Sequence, residues 1–216
     1  MKNFHIGVFG LVAALASTVS VAAGTQNGSF EAFNTGSADV LCPQGSTFCA
    51  QFNAGNTGIN GWAIGGDSVD VVGPLAWKAS NGDYSLDLSG VGAGSLSQVI
   101  ATFVGQAYRV SFDLGGNFFS GPSVKTGTVS AAGFSQNLSF DNSNSTKAAM
   151  GWVPTTFDFI ATGGSTTLSF SSTVDGSAGL ALDNVRVAAV PEPETLFLML
   201  VGLGFVGCRA LRRQSV

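Results

Sequence analysis

Between residues 24 and 190 stand eleven carboxylates and not one imidazole, because the only histidine, His5, lies upstream. Without histidine that stretch can build neither a Ser-His-Asp relay nor a Cys-His pair, and it has no imidazole for a catalytic zinc. Glycoside hydrolysis needs only two carboxylates about 5–10 Å apart, so it is the one enzymatic route the sequence leaves open. Yet Asp87, Asp113 and Asp158 sit in alternating runs, where they read as solvent-facing residues on a half-buried sheet. Cys42 and Cys49 bracket residues 43–48, a spacing unlike a Cys-x-x-Cys redox or metal pair. Phe118 and Phe119 follow Gly115-Gly116-Asn117 and precede Ser120-Gly121-Pro122. This places them at a loop tip, where consecutive rings cannot both reach a core, and makes them candidate ligand contacts. Trp62 is a third candidate, set against the usual burial of tryptophan. Phosphate-cradling and dinucleotide motifs are missing from the sequence.

The two ends carry a different kind of signal. Met1 and Lys2 give a positive start, residues 4–19 form an apolar run, and Val21-Ala22-Ala23 supplies small residues for signal peptidase. Cleavage after Ala23 makes residues 1–23 a signal peptide that starts as a helix. An exported chain meets an oxidising compartment, and Cys42 and Cys49 are then expected to form a disulfide. At the other end Val190-Pro191-Glu192-Pro193 precedes an uncharged run, residues 195–208, and then Arg209, Arg212 and Arg213. Cationic residues stay on the cytoplasmic side, so Glu192 is expected to face outward. The run is short for a bilayer core, and counting on to Leu211 with Arg209 snorkelling brings it to the threshold of a short transmembrane helix.

The elements that must position the candidate residues lie between these ends. Eleven acidic residues against five basic ones leave a net charge of −6 over residues 24–190. That excludes a nucleic-acid footprint and argues against holding strongly acidic polysaccharide by charge alone. Gly, Ser, Thr and Asn abound while Lys, Glu and Arg are scarce, which favours short strands and tight turns over helices. Period-two alternation recurs at residues 68–72, 84–88, 96–103, 108–114, 125–129, 134–140, 155–160, 167–170 and 180–187, with glycine-rich turns between. A short strand is expected at residues 27–31, then a loop-rich region to about Gly61. The fold expected is all-β, an antiparallel sandwich or jelly roll over residues 24–189.

Two resemblances add to this. The C-terminal motif, apolar run and basic end resemble the PEP-CTERM sorting signal of Gram-negative bacteria that make extracellular polysaccharide. That resemblance implies processing near Val190, Pro191, Glu192 and Pro193 by an exosortase-type membrane transpeptidase. The protein would be anchored in the inner membrane first, then moved to the cell surface or extracellular matrix. The Asn27-Gly28-Ser29-Phe30-Glu31 opening, Gly61-Trp62, residues 85–90 and Leu182-Asp183-Asn184-Val185 are similar to the choice-of-anchor C domain. That domain stands near galactose-binding-like jelly rolls, among them carbohydrate-binding modules and a plant cell-wall family. This second resemblance implies a structural Ca2+ joining the first strand to the last, with Glu31 and Asp183 as ligands. Hard oxygen donors suit that ion, although the same two residues serve equally as acceptors for backbone N–H groups.

Three readings of function follow. The first is an exported, non-catalytic jelly roll that binds polysaccharide. The second is a structural matrix protein without a specific ligand. The third is a glycosidase-like enzyme.

Overall fold

The structure is a computed structural model that describes residues 24–41 and 49–191. The expected signal helix, the C-terminal transmembrane helix, Cys42, Glu192 and Pro193 lie outside these residues. Among the described residues no helix is long and apolar enough to cross a membrane.

Twelve strands form: β1 Val40–Leu41, β2 Cys49–Asn53, β3 Ala63–Gly66, β4 Ser68–Val72, β5 Ser85–Asp87, β6 Gly94–Ala101, β7 Ala107–Gly116, β8 Val124–Ala131, β9 Phe134–Asp141, β10 Val153–Ile160, β11 Ser165–Ser172 and β12 Leu180–Ala189. They make two antiparallel sheets, one ordered β1-β2-β4-β5-β12-β7-β10 and the other β3-β6-β11-β8-β9. The chain is therefore an all-β sandwich of jelly-roll type. Among the described residues the only helical element is a single 3-10 turn at Thr35–Ser37.

Alternation explains the sandwich. In β4, β5, β7 and β12 every second residue is apolar, and Val69, Val71, Leu86, Val110, Phe112, Leu114, Leu180 and Leu182 point into the interior. The smaller sheet answers with Leu96, Ile100, Val129, Leu138, Leu168 and Phe170. Phe112 and Phe170 meet edge to face across the layers, with centroids 5.1 Å apart, a geometry favoured by the ring quadrupoles.

Residues 27–31 are not a strand. Asn27 and Phe30 both have positive φ, and the segment turns so that the Gly28 carbonyl accepts from Val185 N. A Cβ on Gly28 would overlap the Val185 carbonyl oxygen, so this glycine lets the opening hook lie on the last strand. The register of β12 against β7 shifts between Asp183 and Arg186, and the hook sits on that bulge. Strands β1 and β2 form within the region to about Gly61 that the sequence reads as loop-rich, and β3 forms just beyond it, where no strand is expected. β3 carries two apolar side chains, Ala63 and Ile64, and two glycines, and β2 begins at a cysteine.

Candidate functional site

The inward set on the larger sheet forces Asp70, Asp87, Asp113 and Asp183 onto its other face. Register brings them close: Asp70 opposes Asp87 across β4 and β5, and Asp183 opposes Asp113 across β12 and β7. This face is not open to water. Loops at residues 73–84, 117–123 and 142–152 bend over it, and a second apolar cluster forms beneath them from Cys49, Val72, Ala76, Trp77, Met150 and Ala181. Trp77 is its centre, buried to 1% exposure, with Nε1 donating to Ser85 Oγ at 2.8 Å.

Asp87 is completely buried under this cover, which corrects its expected solvent-facing position. Its carboxylate accepts from Asn117 Nδ2 at 2.6 Å, Ser89 N at 2.9 Å and Gly179 N at 3.0 Å. It thus ties together β5, the loop of Phe118 and Phe119, and the turn before β12. Burial pushes Asp87 up to about 6 against the opposing effect of these bonds and of Lys125. Asp70 is pushed up to about 7, by burial first and by the Asp87 charge second. Its Oδ1 is buried with no hydrogen-bond partner. Lys125 is also buried and donates to the Ser120 carbonyl at 2.6 Å, with burial holding its ammonium pKa down. Asp158 does face solvent, paired with Arg109 at 2.7 Å.

Glu31 and Asp183 reach the same loop from two sides. Glu31 Oε1 accepts from Asp83 N and Tyr84 N, both at 2.9 Å. Asp183 Oδ2 accepts from Ser80 N and Asn81 N, both at 2.8 Å, while the Ser80 hydroxyl lies between the two carboxylates, 2.7 Å from Asp113 Oδ2 and 3.1 Å from Asp183 Oδ2. Oδ1 takes Asn184 N at 2.6 Å. Burial pushes Asp183 up to about 6 in spite of these bonds. A calcium ion needs these oxygens for itself and carbonyls around them, whereas here N–H groups point at the lone pairs. Among the described residues no three His, Cys, Asp or Glu side chains gather to hold a metal. Glu31 and Asp183 thus clamp the amides of residues 80–84 from two sides.

The aromatic candidates separate. Trp62 is 4% exposed, with its ring centroid 5.7 Å from that of Phe30 and Nε1 donating to Asn27 O at 3.0 Å. It is a core residue, not a ligand contact. Phe118 packs on the Trp77 cluster. Phe119 stays 52% exposed while stacking on Trp77 at 6.0 Å and 29°. The half-buried Trp152 lies over Gly115, where a Cβ would come within 2.9 Å of its ring. Its Nε1 donates to the Lys78 carbonyl at 3.0 Å. Lys78 opens a groove of about 470 Å3 lined by Pro74, Lys78, Ala79, Gly82, Asp83, Lys147 and Ala148. Phe119 and Trp152 thus both rest on the Trp77 cluster as partly exposed rings, and the groove, reached through Lys78, carries two ammonium groups and a carboxylate.

Cys49 is disulfide-bonded; Cys42, its expected partner, lies outside the described residues. Pro191 follows β12 on the exposed surface, while Val190 is held by Ala107 O at 2.8 Å and by Gln106 Nε2 at 2.8 Å.

The family model described as "Protein of unknown function (DUF642)" matches residues 24–188. The chain belongs to this family. The model of the PEP-CTERM protein-sorting motif matches residues 189–214, so the chain ends in that sorting motif. Halomucin of Haloquadratum walsbyi is similar to it, 29% identical over 143 residues that make up 65% of this chain and 2% of Halomucin. The chain thus spans about 2% of the length of that relative. Among solved structures, TmCBM61 in complex with β-1,4-galactotriose has a TM-score of 0.43 and 24% identity over 60% of this chain and 88% of that one. CBM35 from Paenibacillus barcinonensis has a TM-score of 0.42 and 17% identity over 65% of this chain and 99% of that one.

Proposed function

We propose that this DUF642 protein is exported, sorted to the cell surface through its C-terminal motif, and binds a surface polysaccharide without cleaving it. The observation that carries the binding reading is the exposed ring of Phe119, seated on buried Trp77, on the same loop-covered face as Trp152 and the Lys78 groove. A pyranose presents a face of C–H groups that packs on an aromatic ring, and a ring fixed in advance loses little entropy on binding. Groove lysines and Asp83 offer hydrogen bonds to hydroxyls at its edge.

The carboxylates support the non-catalytic part. Asp70 and Asp87 oppose each other across β4 and β5, but Asp87 is fully covered and spends its oxygens on Asn117, Ser89 and Gly179. In the pair Asp113 and Asp183 the latter is buried and taken up by the amides of Ser80, Asn81 and Asn184. A glycosidase needs both carboxyl groups at the scissile bond. The sorting part is supported by the matched motif and by the exit of the chain at Pro191, just beyond a firmly held Val190.

A glycan array with the purified full-length protein tests the binding, and chromatography of the bound glycan tests for cleavage. Retention of at least one polysaccharide class, recovered intact, is the expected result. Release of shortened products would overturn the non-catalytic reading, and an array without any binding would favour a purely structural role.

A further inference from the structure

The end of the sandwich where the chain leaves for its C-terminal segment carries an exposed apolar tip. The turn from β6 to β7 presents Phe103 at 57% exposure and Val104 at 72%, and Ile160 at the end of β10 is 51% exposed. Hydrogen bonds fix these residues beside the exit. Gly105 N donates to Ala161 O at 2.8 Å, Phe103 N to Tyr108 Oη at 3.0 Å, and Val190 N to Ala107 O at 2.8 Å. Ile160 pairs with Ala107 in the sheet. The tip is also free of charge: residues 96–108, 159–168 and 187–191 contain no Asp, Glu, Lys or Arg. The nearest charged side chains in these strands, Arg109 and Asp158, neutralise each other.

The geometry points to a lipid bilayer surface as the occupant of this tip, with Phe103 and Val104 entering the headgroup region of the outer leaflet. The inference rests on the reading of residues 195–208 as a membrane segment. Val190 is fixed to the tip, and five residues further on that uncharged segment begins. Five residues span at most about 17 Å at roughly 3.4 Å each, so an inserted segment brings the tip to the interface. An uncharged surface bearing a phenylalanine loses nothing by entering there, whereas a charged one would be held off. The same orientation serves the glycan reading. Phe118 and Phe119 follow the far end of β7, a ten-residue strand, which at about 3.3 Å per residue stands them roughly 30 Å from the tip. The aromatic loops then face away from the membrane, and the cleavage motif lies at it.

Reconstitution of the full chain in phosphatidylcholine vesicles with brominated acyl chains tests this. Phe103→Trp and Val104→Trp add one fluorophore at the tip, and Phe119→Trp adds one at the far end. The expected result is co-flotation of all three, with loss of roughly half or more of the added emission only at positions 103 and 104, since a ring at the headgroup–acyl boundary lies within reach of the bromines. Flotation with no more quenching at 103 and 104 than at 119 would overturn this inference and leave the anchor reading intact. Failure to float would overturn both.

Discussion

Replacing Asp70 by Asn should stabilise the protein increasingly from about pH 4 to pH 7 and leave it nearly unchanged below about pH 4. Asp70 is pushed from 3.8 up to about 7, and its Oδ1 is buried without a partner. The folded state therefore keeps a proton on Asp70 between about pH 4 and pH 7 that the unfolded chain has already released. Wherever the native state binds more protons than the unfolded one, stability falls as pH rises. The loss spreads over that window and levels off above pH 7, where both states are ionised. A shift of about three pH units at 1.36 kcal/mol each sets a ceiling of about 4 kcal/mol on the cost. One kcal/mol moves the Tm of a domain this size by about 2–4 °C, so Asp70→Asn should raise it by up to roughly 10 °C at pH 8. Below about pH 4 wild type and variant should melt together, because Asp70 is then protonated in the folded and the unfolded chain alike, and at pH 5 the gap should already be about 1.6 kcal/mol. Thermal melts by circular dichroism from pH 3 to pH 8 measure this. A lower Tm for the variant at pH 8 would refute the reasoning, since it would mean that the Asp70 carboxylate has a compensating partner.

Other expectations follow from the same geometry. Melting curves with calcium and with chelator should superimpose, because Glu31 and Asp183 hold N–H groups; a drop of several degrees on chelation would show that the 80–84 loop turns its carbonyls to an ion. Gly28→Ala should cost at least about 3 kcal/mol, as a methyl group there collides with backbone and not with a side chain that can move; chemical denaturation reads it, and an unchanged midpoint would contradict the hook on Val185. Peptide mapping without reduction should recover Cys49 joined to Cys42, and a free thiol at Cys42 would count against that pairing.

The strands from β6 to β12 were legible because each alternates over at least four residues and each glycine turn is sharp. β3 offered only Ala63 and Ile64 before two glycines, and β2 and β3 are completed by pairing with β4 and β6, long-range partners that no local pattern reveals. Asn27 to Phe30 looks extended by composition, yet its shape is dictated by the Val185 backbone. The fate of the site residues depends on the same non-local information. Alternation correctly put Asp87 and Asp158 on outer faces, but only the loops around Trp77 decide that Asp87 is sealed and Asp158 is not. Phe118 and Phe119 were recognisable as a loop tip; that one ring turns in and the other out follows from the position of Trp77. Trp62 and Trp152 differ little in sequence context, and burial against Phe30 in one case and over Gly115 in the other separates them.

The account stands most directly on Phe119. Titration of the full-length protein with the polysaccharide selected on the array, by isothermal calorimetry, should give a Kd that weakens roughly tenfold in Phe119→Ala, the equivalent of about 1.4 kcal/mol for one lost stacking contact. The Tm should stay close to that of the wild type, because the ring is half outside the fold. An unchanged Kd in a folded Phe119→Ala protein would contradict the placement of the binding surface on this face.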